Sequence, residues 1–168
     1  MDELSISAGK TSANPSLRSP GVLLATWFGF GYFPKAPGTW GSLAALPCAW
    51  VISMYWGGWA LFVASILVFF IGIWASNVYM AQSCAHDPGP VVIDEVAGQW
   101  LTLAFVPTDL IIYAFGFVLF RLADIFKPWP ACWADQKVDG GLGVMLDDVL
   151  AAIYSGGAVY VLYQMKVI

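Results

Sequence analysis

The chain has 168 residues, of which 60% are hydrophobic and 11% charged, with a formal net charge of −4. Soluble domains carry about 25% charged residues, so the polar surface for a water-soluble particle is missing and the composition reads as an integral membrane protein with one compact domain. There is no basic cluster, which argues against nucleic-acid binding. The three cysteines, Cys48, Cys84 and Cys132, form neither a CxxC pair nor a disulfide framework and read as packing residues.

Residues 1–20 are polar and rich in Ser and Pro, with no apolar stretch of the signal-peptide kind. They are expected to be a mobile tail ahead of a single helical membrane domain at 21–168. The first motif, GFGYFPKAPGTWGS at 29–42, holds four glycines and two prolines. Such a loop brings backbone N–H groups close to a ligand, and the start of the following helix favours an anion. Lys35 could add a charge for phosphate or simply snorkel.

Two apolar segments follow, 41–56 and 57–80, separated at Gly57-Gly58. The second has no charged residue and is long enough to cross a bilayer, since about 20 helical residues span 30 Å. HDPGPVVIDE at 86–95 then sets Asp94 and Glu95 at the mouth of a helix, where the dipole favours acids. Capping explains one such pair. A divalent cation that relieves their repulsion explains it equally well, because hard cations take oxygen ligands. Gln99 lies four residues after Glu95, on the same helical face. His86 reads as a loop residue.

Segments 96–106 and 110–120 flank Pro107-Thr108-Asp109. Eleven residues reach only about 16 Å. The two segments are therefore read as a helical hairpin rather than one broken span, which would leave Asp109 at mid-membrane. FRLADIFKPWP at 120–130 places Arg121, Asp124 and Lys127 three apart before Pro128 and Pro130 stop the helix. In DQKVDGGLGVMLDD at 135–148, the glycines predict a turn, with Asp147 and Asp148 opening the last helix, 149–163. Under this topology six of the seven Lys and Arg (Lys10, Arg18, Lys35, Arg121, Lys127 and Lys137) share one face, and only Lys166 lies on the other. The positive-inside rule makes the first face cytoplasmic. The expected fold is thus an all-α membrane bundle of about four to six helices, with the motif loops on that face.

Several carboxylates converging with Arg and Lys at a membrane surface fit Mg²⁺-assisted phosphoryl chemistry. The cation neutralises phosphate charge, and the basic groups stabilise charge on the phosphoryl oxygens. Neither a CxxxxxR loop nor a DxDx[TV] pair is present, which favours water over a side chain as the attacking group.

Taken together, PKAPGTWGS at 34–42, HDPGPVVIDEVAGQW at 86–100, FRLADIFKPWP at 120–130 and VDGGLGVMLDDVLA at 138–151 resemble the phosphatidylglycerophosphatase A family. The resemblance runs from about Val22 to Ala152. It implies an all-helical enzyme that removes the terminal phosphate of phosphatidylglycerophosphate, with Mg²⁺ as cofactor, to give phosphatidylglycerol. It places that reaction at the cytoplasmic leaflet of a bacterial inner membrane. Chemistry then assigns the roles. Asp94, Glu95, Asp124 and Asp148 are the expected metal ligands, with Asp147 beside them in the catalytic set. Lys35, Thr39, Ser42, Arg121 and Lys127 are the expected phosphate-binding residues, with Gly38 offering an N–H. Asp87, Asp135 and Asp139 are weaker candidates for support or for the general base. A CDP-alcohol-type lipid phosphotransferase and a small membrane cation carrier are the alternatives. The first lacks its AR element after Asp139-Gly140, and the second wants acids at mid-membrane.

Overall fold

The computed structural model describes residues 15–85 and 88–168. Most of the expected N-terminal tail lies outside the described residues, as do His86 and Asp87. The regular elements described are helical: α1 (Pro20–Ala25), a 3₁₀ turn (Phe30–Tyr32), α2 (Pro37–Ser83), α3 (Ile93–Leu103), α4 (Leu110–Phe126), α5 (Ala131–Lys137) and α6 (Gly140–Gln164).

Helix α2 is two antiparallel arms. Its ladder breaks at Gly57, whose φ of 79° and ψ of 171° lie in a region essentially reserved for glycine. Gly58 beside it rests on the Ala104 carbonyl, where a Cβ would not fit. The first arm, 37–56, and the second, 58–83, are about 30 and 39 Å long at 1.5 Å per residue. The break falls where the sequence predicts it.

Helix α3 is the centre of the bundle. Eight of its eleven residues are buried, and each neighbour is held by a specific contact. The Trp100 indole N–H donates to the Ala45 carbonyl on the first arm (3.0 Å), and the Ser65 hydroxyl on the second arm donates to the Ala97 carbonyl (2.9 Å). Gly116 of α4 lies against Leu103, and the Thr102 and Ser155 hydroxyls bond at 2.8 Å between α3 and α6. These bonds satisfy polar groups that an apolar surrounding would otherwise penalise. The main core gathers Ala45, Leu61, Val96, Trp100, Leu103, Tyr113 and Val159 around this helix.

The expected hairpin forms. Asp109 caps α4, its carboxylate accepting the N–H groups of Ile111 (2.8 Å) and Ile112 (3.2 Å). Outward-facing positions carry large apolar groups such as Tyr55, Trp56, Trp59, Phe70 and Ile111. Helices α2 and α6 are long and apolar enough to cross a membrane.

Two expected boundaries are corrected. Gly140 makes the expected turn, with a left-handed φ of 75°, but Gly141 and Gly143 already lie in α6, where the Asn77 side-chain carbonyl accepts the Gly141 N–H (2.8 Å) and ties the chain to α2. Asp147 and Asp148 consequently lie seven and eight residues past the start of α6, and do not open it. Similarly, residues 37–42 belong to α2, whose first turn Pro37 suits with its fixed φ.

Candidate active site

The starts of α2 and α3, the end of α4, α5 and the first turns of α6 enclose a cavity of about 300 Å³. Its lining includes Asp94, Glu95, Arg121, Asp124, Lys127, Asp135, Asp147 and Asp148. Seven of the expected site residues thus meet in one place, although they come from three helices.

The acids form its floor. Asp94 and Glu95 occupy the first turn of α3. That turn is fixed in space because the Val92 N–H donates to the Ala25 carbonyl at 2.8 Å. Asp94 Oδ1 accepts the Glu95 N–H at 3.0 Å. One oxygen from each of Asp94, Glu95 and Asp148 lies within 4.8 Å of the other two. Glu95 Oε2 and Asp148 Oδ2 are buried with no hydrogen-bond partner. Burial pushes the Asp94 carboxyl well above the usual carboxylate range, and the adjacent Glu95 charge adds to this. Burial raises Glu95 as well, against its hydrogen bond with Asp94 and its attraction to Arg121.

Two cations face them. Arg121 pairs with Asp124 at 2.6 Å and with Glu95 at 3.6 Å, and donates to the Ser42 hydroxyl at 3.4 Å. Gly38 permits this approach of α2, since a Cβ there would clash with Glu95 Oε1 and press on the guanidinium. Lys127 ends α4 with a left-handed φ of 43°, which swings its ammonium across to Asp135 (2.5 Å) and Asp147 (2.6 Å). Burial alone would lower the Lys127 pKa, but its bonds to the two carboxylates prevail and raise it above the ordinary lysine value.

Of the expected ligands, Asp124 is not among the three oxygens that meet within 4.8 Å but lies next to Asp148, and it is ion-paired with Arg121. Asp147 is likewise held by Lys127. Lys35, Thr39 and Ser42 do not line the cavity. Lys35 is exposed, and Ser42 is buried with its hydroxyl donating to the Gly38 carbonyl at 2.9 Å. The weak candidate Asp135 is part of the lining, whereas Asp139 sits at the N-cap of α6 outside it. Local spacing gives no signal for the Lys127–Asp135 pair, which joins the end of α4 to α5.

The donor set suits a hard divalent cation. Around an octahedral Mg²⁺ adjacent oxygens stand about 3 Å apart and opposite ones about 4.2 Å, so the three carboxylates, already within 4.8 Å of one another, would draw inward on a bound ion. The charge balance points the same way. Six lining carboxylates meet two cations, a formal excess of four negative charges if all were ionised, which would repel a phosphate in a cavity of low dielectric.

A family model described as phosphatidylglycerophosphatase A matches residues 23–163. An Escherichia coli (strain K12) protein named phosphatidylglycerophosphatase A is 40% identical over 146 residues, covering 86% of this chain and 84% of that protein. A Haemophilus influenzae protein of the same name is 40% identical over 152 residues, covering 86% and 92%. A Bacteroides thetaiotaomicron protein, provisionally named a phosphatidylinositol-3-phosphatase, is 41% identical over 146 residues, covering 80% and 87%. No solved structure matches the chain.

Proposed function

The chain belongs to the phosphatidylglycerophosphatase A family, and from that premise we propose that it is a Mg²⁺-dependent phosphatase of phosphatidylglycerophosphate. Water attacks the terminal phosphorus, the bond to the glycerol oxygen breaks, and that oxygen takes up a proton. The products are phosphatidylglycerol and inorganic phosphate. The observation that carries the metal requirement is the meeting of Asp94, Glu95 and Asp148 oxygens within 4.8 Å amid uncompensated negative charge.

These three acids would hold Mg²⁺, which when bound neutralises phosphate charge and acidifies water. Arg121 offers a planar pair of donors to the phosphoryl oxygens, aimed by Asp124 and Glu95. Lys127, at the end of the same helix, adds a point charge aimed by Asp147 and Asp135. With donors already in place, little reorganisation is needed as charge develops on the oxygens. Asp124 and Asp147 thus serve as positioning groups in this reading, while Lys35 stays at the rim. The positive-inside rule, applied to the cations at the site end of the bundle, supports a cytoplasmic-facing site in a bacterial inner membrane.

The test is phosphate release by purified protein from phosphatidylglycerophosphate, phosphatidylinositol-3-phosphate and phosphatidic acid, with Mg²⁺ or with chelator. The expected result is Mg²⁺-dependent release, fastest from phosphatidylglycerophosphate. Full activity in excess chelator overturns the metal requirement. Faster release from phosphatidylinositol-3-phosphate overturns the substrate assignment, a comparison made pointed by the Bacteroides relative.

A further inference from the structure

Gln99 is completely buried, yet neither its amide nitrogen nor its carbonyl oxygen has a hydrogen-bond partner. A buried amide left in this state is destabilising, and such groups call for a specific explanation. Gln99 lies one turn past Glu95 on α3. Helical side chains lean back towards the helix N-terminus, so that of Gln99 is directed at the turn carrying Glu95. Two further buried atoms without partners lie there: Glu95 Oε2, and Nε of Arg121, the residue paired with Glu95.

We propose that Gln99 is a positioning residue for Glu95. When a cation binds, its amide N–H donates to Glu95 Oε2 and its carbonyl accepts the Arg121 Nε–H, two bonds that the metal-free chain does not make, and these hold the carboxylate beside the guanidinium. This satisfies all four atoms with two hydrogen bonds. It rests on the reading of Asp94, Glu95 and Asp148 as a Mg²⁺ site. Outer partners of this kind orient a ligand and keep it basic.

The experiment titrates Mg²⁺ alone into detergent-purified wild type, Gln99→Leu and Gln99→Met by calorimetry, and records melting of each in chelator. Leu and Met fill the same volume without the unpaired amide, so both variants are expected to melt at or above the wild-type temperature. Their Mg²⁺ affinity is expected to fall roughly 10–100-fold, the cost of losing a ligand's outer partner. Equal Mg²⁺ affinity in wild type and either well-folded variant overturns the proposal. So does a fall in melting temperature that accompanies weaker binding, since that marks a packing role. A wild type that binds no Mg²⁺ overturns the metal reading itself, a result distinct from either.

Discussion

At the scale of single residues, the site trades stability for charge. Asp148 keeps a buried oxygen without a partner beside two other acids. Asp148→Asn removes one repelling charge, so this variant is expected to melt higher than wild type in chelator. Its phosphate release is expected to fall by at least the roughly 100-fold that loss of a ligand's outer partner can cost. A variant that gains stability and keeps full activity would remove Asp148 from the metal set. Asp94 gives the matching pH effect. Its carboxyl titrates higher in the folded chain than in the unfolded one, so the metal-free fold holds a proton that the unfolded chain has released. The contribution to stability is therefore full below the unfolded carboxylate range and is lost as pH rises through the raised folded value. Metal-free protein should melt at progressively lower temperature from mildly acidic to neutral pH. Saturating Mg²⁺, which needs the deprotonated ligand, should abolish that decline. Gly38→Ala should weaken Mg²⁺ binding with little change in melting, because its added methyl meets Glu95 and Arg121 but not the core.

At the scale of elements, glycine decides where the helices stop. Gly57 has open space around a would-be Cβ, so Gly57→Ala tests backbone strain alone, expected at about 2 kcal/mol. Gly58→Ala adds a steric clash with the Ala104 carbonyl and should cost more. Calorimetric melting in one detergent ranks the two, and the reverse order would refute the packing of α2 on α3. Both turns of the bundle were legible in the sequence, since Gly57-Gly58 and Pro107–Asp109 interrupt apolar runs. The start of α6 was not. Gly140, Gly141 and Gly143 read as a turn because glycine is a poor helix former. Gly140 does turn, with a left-handed φ, whereas Gly141 and Gly143 are helical, packed closely on the Ile73 and Val138 carbonyls, with the Gly141 N–H donating to Asn77. The convergence of Asp94, Glu95 and Asp148 was legible from loop parity. Which oxygens meet, and the pairing of Lys127 with Asp135, depended on tertiary geometry that spacing does not encode.

For the whole molecule, the arrangement sets a direction. The site end carries Lys35, Arg121, Lys127 and Lys137, whereas Lys166 lies close to the Pro107–Asp109 end, where Val167 and Ile168 share a cavity with Pro107. In a cysteine-free background, Lys35→Cys should react with an impermeant thiol reagent only from the cytoplasmic side of oriented vesicles. Thr108→Cys should react only from the other side, and the opposite pattern would invert the proposed orientation. The position of the acids within α6 bears on selectivity as well as catalysis. Seven and eight residues along that helix place Asp147 and Asp148 about 11 Å below its first residue. Under the proposed function, acids set two turns into a helix rather than at its tip predict slower phosphate release from a phosphorylated protein than from a lipid phosphate, and phosphate assays on both substrates check it.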